Sequence, residues 1–234
     1  DGSLLPGFIL SRAKARNLVV SFKNENEVRL FLMDLIFKGT DSQNATSTKL
    51  NWPVFDFCNQ FLQTQQELYD ATRDLVTYLC TNHNVRVIEI RFCPELHTLE
   101  GLTHDDIVQS VVKGFQAGQQ RIIICALRSY PESHSLQMVE LCKKYLGKGG
   151  IIGFDIAGYE SDYPLSIHKK ALELANDLDI PITVHIGEFP QTLNNFPFLL
   201  QNWKTCKVQR MSHCIELGKD HQVLTECSKA IGKH

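Results

Sequence analysis

Apolar residues along this 234-residue chain follow two rhythms. Short β-branched runs occupy residues 85–92, 121–127, 151–157 and 182–185, and a weaker fifth occupies 207–214. Runs of this length, continuous rather than alternating, predict strands buried on both faces. Between them, residues 67–80, 105–116, 136–146 and 165–178 place apolar side chains three and four apart, which is the period of an amphipathic helix. Thr103 ahead of Asp105 and Asp106 supplies a helix cap. Strand and helix therefore alternate about every 30 residues, the cadence of right-handed βαβ units and a parallel sheet. The region before the first strand differs. Residues 11–80 are mostly helical in pattern, interrupted by the polar stretch 40–48, which has no apolar anchor and reads as a loop. With no internal repeat and no linker, the expectation is a single domain over 1–234 with a mostly helical portion at 1–84.

Polar residues follow almost every predicted strand. Arg91 and Cys93 follow the first, Asp155, Gly158 and Glu160 the third, His185 and Glu188 the fourth, and His213 the fifth. In a parallel barrel the C-terminal ends of the strands converge on one face, so residues distant in sequence share a pocket. Two histidines and several carboxylates would meet there. A neutral imidazole such as His185 binds metal, and a carboxyl group such as Glu188 moves protons for a metal-bound water, which together suggest a metal-assisted hydrolase.

Composition narrows the choice of ligand. Lys and Arg total 24 against 26 Asp and Glu, a net charge of −2, so the sequence has neither a nucleic-acid footprint nor an acidic tail. A small neutral or weakly polar substrate is the simpler expectation. The eight cysteines (58, 80, 93, 125, 142, 206, 214 and 227) lack CxxC spacing, and several lie inside apolar runs. They are read as reduced core residues of a cytoplasmic protein, not as a disulfide framework or a thiolate zinc site. No apolar stretch approaches the roughly 20 residues of a membrane span. The chain opens at Asp1 inside a motif, which suggests a fragment of a longer protein.

The residues at these strand tips resemble the adenosine deaminase family of metal-dependent amidohydrolases. Asp1-Gly2-Ser3-Leu4 resembles the end of that family's HxHLDGS segment, and Gly153-Phe154-Asp155-Ile156-Ala157-Gly158-Tyr159-Glu160 resembles GxDLAGDE. Thr183-Val184-His185-Ile186-Gly187-Glu188 is similar to TVHAGE, and Arg210-Met211-Ser212-His213-Cys214 to RxGHG. Glu89-Ile90-Arg91-Phe92-Cys93-Pro94 and a helix at 139–145 add two weaker matches in the same order. Tyr159 stands where the family has aspartate, Ile186 where it has alanine, and Ser212 and Cys214 flank His213 where glycines are usual.

The resemblance implies a partial (β/α)8 TIM barrel of the metal-dependent hydrolase type, lacking the first and last strands, with one zinc ion at its C-terminal mouth. It further implies zinc-dependent hydrolytic deamination of adenosine or deoxyadenosine to inosine or deoxyinosine and ammonia. Carried over, His185 would be a zinc ligand, Glu188 the proton shuttle to the purine ring nitrogen, and His213 the residue that positions and stabilises the attacking hydroxide. The Gly158 backbone would hydrogen-bond the purine, Asp1 would meet the ribose, and Phe57 and Phe61 would cover the pocket. The family's HxH pair and NTDDP aspartate, which complete the zinc site, are expected outside this segment, so the segment alone is expected to be inactive. The implied partner is a small-molecule purine nucleoside, with neither nucleic acid nor membrane involved; protein partners are left unknown. Two alternatives stay open: a deaminase of an adenine nucleotide, N6-substituted or not, and a catalytically dead homologue that binds nucleosides or a protein.

Overall fold

The computed structural model describes residues 3–40, 52–115, 120–189, 192 and 195–231. They fall into two compact units that divide at Ile122. The first contains α1 (Pro6–Ala15), α2 (Glu25–Thr40), α3 (Trp52–Asn59), α4 (Gln65–His83), β1 (Ile88–Phe92) and α5 (His104–Gly114). Its two best-defined helices start where the sequence provides caps. Thr64 accepts the Glu67 amide while Glu67 accepts the Thr64 amide, and Thr103 and Asp106 repeat this reciprocal arrangement ahead of α5. α4 ends at Asn84, which takes a left-handed conformation (φ 52°). The two helices pack along each other around Leu68, Val76, Ile107, Val108 and Val111, all buried.

The second unit contains β2 (Gln120–Leu127), α6 (Glu132–Tyr145), β3 (Ile151–Ala157), α7 (Lys169–Asp177), β4 (Ile182–Ile186), α8 (Asn195–Gln201), α9 (Trp203–Cys206), β5 (Arg210–His213) and α10 (His221–Ile231). Strands β2, β3, β4 and β5 pair in parallel in sequence order. All five predicted strands are present, and the βα alternation is the one the apolar rhythm predicts. Ile122, Ile124, Phe154, Ile156, Val184 and Ile186 are fully buried, as are Met138, Val139 and Cys142 on α6 and Ala171, Leu172 and Ala175 on α7. The opposite face of the sheet carries a register row, Cys125–Asp155–Thr183–Arg210, one residue from each strand. Side-chain alternation along β4 then puts His185 on the same face as Thr183, one pleat nearer the C-terminal tip.

All eight cysteines are free thiols, six of them buried, as their apolar settings predict. The polar stretch 40–48 lies, apart from Thr40, outside the described residues. Among the described residues no helix is long and apolar enough to cross a membrane.

Candidate active site

The C-terminal ends of β3, β4 and β5 bring Asp155, His185, Glu188 and His213 together within the second unit. Asp155 is wholly buried, and its carboxylate oxygens lie 3.0 and 3.2 Å from Nδ1 of His185. The thiol of Cys125, the next residue in the same register row, donates to Asp155 at 3.5 Å. With Nδ1 engaged, the Nε2 of His185 makes no hydrogen bond to the described residues. That arrangement fixes the imidazole's orientation and tautomer, and presents a lone pair for a metal.

His213 reaches the site by an irregularity. The register sets Ile186 beside His213 and His185 beside Ser212, so simple alternation would send the His213 side chain to the face opposite His185. Instead His213 and Cys214 take left-handed backbone conformations (φ 68° and 54°), which break the pleat at the end of β5. The two imidazole rings then lie 5.2 Å apart, centroid to centroid. Nε2 of His213 is 3.8 Å from a carboxylate oxygen of Glu188. Of the two residues that replace the usual glycines around this histidine, Cys214 occupies the left-handed position and Ser212 does not.

Glu188 is held by what surrounds its backbone. Gly187 takes φ 70°, and a side chain there would come within 2.7 Å of the Phe196 ring, so only glycine fits. The carboxylate of Glu160, 2% exposed, accepts the amides of Gly187 and Glu188 at 2.8 and 3.0 Å. Asn195 donates to the same carboxylate at 3.1 Å. Arg128, which follows β2 directly, is fully buried; its guanidinium donates to the carbonyl oxygens of Tyr163 and His185. Burial lowers the Arg128 pKa, against the opposing charges of Glu160, Asp155 and Glu188. Burial raises the Glu188 carboxyl, and the Glu160 charge adds to that, while His185 and Arg128 pull it down; the net direction is upward. A carboxyl raised in this way holds its proton to higher pH, which suits a proton donor.

Gly158 lies just past β3 with φ 96°, a conformation that glycine adopts without strain. Phe57 and Phe61 belong to the first unit. Phe61 is wholly buried and packs edge-on against Phe57 at 5.3 Å, and Phe57 also meets Phe31 at 4.8 Å and Phe22 at 6.1 Å. Asp1 lies outside the described residues. The first unit also contains a cavity of about 350 Å³ along β1, lined mainly by apolar residues such as Leu62, Leu75, Ile88 and Phe92; none of the described candidate residues lines it. The strand-tip pattern marks Asp155 and Glu160 but not Arg128 or Asn195. For Arg128 the available signal was a lone cation ending an otherwise apolar run.

A family model described as adenosine deaminase matches residues 1–230. The adenosine deaminase of Clostridium acetobutylicum is 30% identical over 230 residues, covering 96% of this chain and 65% of that protein. The chain thus spans somewhat less than two thirds of that relative's length. Among solved structures, the Arabidopsis N6-mAMP deaminase MAPDA superposes with a TM-score of 0.78 at 18% identity, over 98% of this chain and 66% of that one. An amidohydrolase from Burkholderia ambifaria with bound Zn superposes with a TM-score of 0.77 at 16% identity, over 97% of this chain and 60% of that one. At these identities the structural likeness establishes the fold alone, a partial parallel α/β barrel, as the motif resemblance predicts.

Proposed function

The chain belongs to the adenosine deaminase family, and from that premise we propose that the full-length protein hydrolyses the 6-amino group of adenosine or deoxyadenosine, releasing ammonia and leaving inosine or deoxyinosine. The observation that carries this reading is the convergence of His185, Glu188 and His213 on one strand-end surface. His185 fits the role of a zinc ligand: Asp155 engages one of its ring nitrogens and leaves the other for the metal. His185 would be one ligand of a site that needs about three, so residues 1–234 taken alone are expected to be inactive. A zinc ion bound there supplies Lewis-acid activation of water at neutral pH.

The rest of the chemistry falls to side chains of this segment. Glu188, its carboxyl raised by burial, donates a proton to the purine ring nitrogen next to the carbon under attack. Protonation there disrupts the ring's aromaticity and makes that carbon electrophilic. His213 would position the attacking oxygen, and the backbone at Gly158 would hydrogen-bond the purine. The relevant test is turnover by the zinc-loaded full-length protein on adenosine, deoxyadenosine, AMP and N6-methyl-AMP, followed by ammonia release. Preference for either nucleoside supports the proposal. Preference for N6-methyl-AMP moves the substrate to the nucleotide class, the reading favoured by the likeness to MAPDA. Binding without turnover of any of the four identifies a dead homologue.

A further inference from the structure

Glu160 is a carboxylate buried to 2% exposure, two residues past Gly158, and in the sequence it reads as one more acid at the barrel mouth. Its surroundings indicate a different role. Both carboxylate oxygens are engaged by the loop after β4, where they accept the consecutive amides of Gly187 and Glu188 at 2.8 and 3.0 Å. Two successive backbone N–H groups that converge on one anion form a nest, a geometry that the left-handed Gly187 makes possible. Asn195 completes the cradle: its amide nitrogen donates to Glu160 at 3.1 Å, and its oxygen accepts the Leu165 amide at 2.8 Å. A buried carboxylate is retained only where its hydrogen bonds are met, and here they are met by the very peptide groups that set the direction in which the Glu188 side chain leaves the backbone.

We propose that Glu160 is a positioning residue for Glu188, fixing the loop that aims its carboxyl group at the substrate without itself touching substrate or metal. The inference rests on the reading of Glu188 as proton donor. Freed of the cradle, the Gly187–Glu188 peptide can rotate and carry the carboxyl group out of line, and a displacement of about 1 Å at a reacting group lowers turnover by about 100-fold.

The test uses the full-length zinc-loaded protein and four forms: wild type, Glu160→Gln, Glu188→Gln and the double variant. Glutamine keeps the size of Glu160 but turns an amide nitrogen toward one of the two backbone donors. Glu160→Gln should lower kcat by about 10- to 100-fold, leave KM within about threefold and leave zinc content unchanged. Hydrogen exchange at the Gly187 and Glu188 amides should quicken at the same time. In the Glu188→Gln background the same change should lower kcat by less than about twofold, because the group it positions is already gone. Multiplicative losses in the double variant, or amide protection that is unchanged in Glu160→Gln, would overturn the proposal. Near-normal turnover by Glu188→Gln alone would instead remove the reading on which it rests. If Glu160→Gln fails to fold, Asn195→Ala loosens the same carboxylate and should show the same non-additivity with Glu188→Gln; full additivity there counts against the proposal equally.

Discussion

Nδ1 of His185 lies 3.0 Å from one oxygen of the wholly buried Asp155 and 3.2 Å from the other. The contact joins two strands, β3 and β4, and makes the availability of one imidazole nitrogen depend on a carboxylate 30 residues earlier. Asp155→Asn should therefore leave the fold intact and weaken zinc binding by the full-length protein by about 10- to 100-fold, the usual cost of losing a partner behind a metal-binding histidine. Competition with a chromogenic chelator measures it. Unchanged affinity would mean that Asp155 only fills the core.

The conformation at Cys214 leads to a second prediction. An L-residue in the left-handed region costs about 1–2 kcal/mol, and Cys214 adopts it (φ 54°) where a glycine would adopt it freely. Cys214→Gly should raise stability by about 0.5–1 kcal/mol after the extra chain entropy of glycine is subtracted, with the His185–His213 geometry retained. A denaturant titration of the two forms decides it, and destabilisation would show that the thiol's packing outweighs the relieved strain.

Much of this arrangement was legible in the sequence. The continuous apolar runs located β2, β3 and β4 because strands buried on both faces have no solvent side to mark with polar residues; β1 and β5 depart from that reading, with Glu89 and Arg91 exposed on β1 and Arg210 and His213 exposed on β5. The strand tips located His185, Glu188 and His213 because the family motifs lie there. The boundaries were less legible. The run beginning at residue 85 becomes a strand only at Ile88, since Asn84 ends α4 in a left-handed turn and Val87 is 59% exposed. The segment 165–178 divides into a 3-10 turn, Leu165–His168, ahead of α7, because His168 is buried and tied through Nδ1 to Ser135 and through Nε2 to the Arg128 carbonyl. The supporting groups were not legible at all. The contacts of Arg128 with His185, of Asp155 with His185 and of Glu160 with the Glu188 amide join different βα units, and no local pattern encodes which strand tips become neighbours.

In the first unit, Arg16 meets the buried carboxylate of Glu67 through both Nε and an Nη nitrogen, at 2.7 and 2.6 Å. Burial pushes Glu67 up, but the Arg16 fork, the Gln63 amide and the Thr64 cap outweigh it, so its pKa lies below the ordinary value of 4.5. A depressed carboxyl binds fewer protons folded than unfolded, so its stabilisation is present above the unfolded pKa and is lost as pH falls through the folded one. Glu67→Gln should then destabilise the protein by about 1–3 kcal/mol at pH 7, and the gap to wild type should narrow as the pH falls below 4.5. Thermal unfolding across that range is the check; a gap independent of pH would assign the effect to packing.

Two residues three apart divide the labour, His185 holding metal and Glu188 moving a proton. Metal content and adenosine turnover, measured together on His185→Ala and Glu188→Gln in the full-length protein, separate the two roles most directly. His185→Ala should lose zinc and activity together, while Glu188→Gln should keep zinc at the wild-type stoichiometry and lose about 10²- to 10⁴-fold in turnover, the usual contribution of general acid–base catalysis. Full zinc in His185→Ala, or near-normal turnover in Glu188→Gln, would contradict this division.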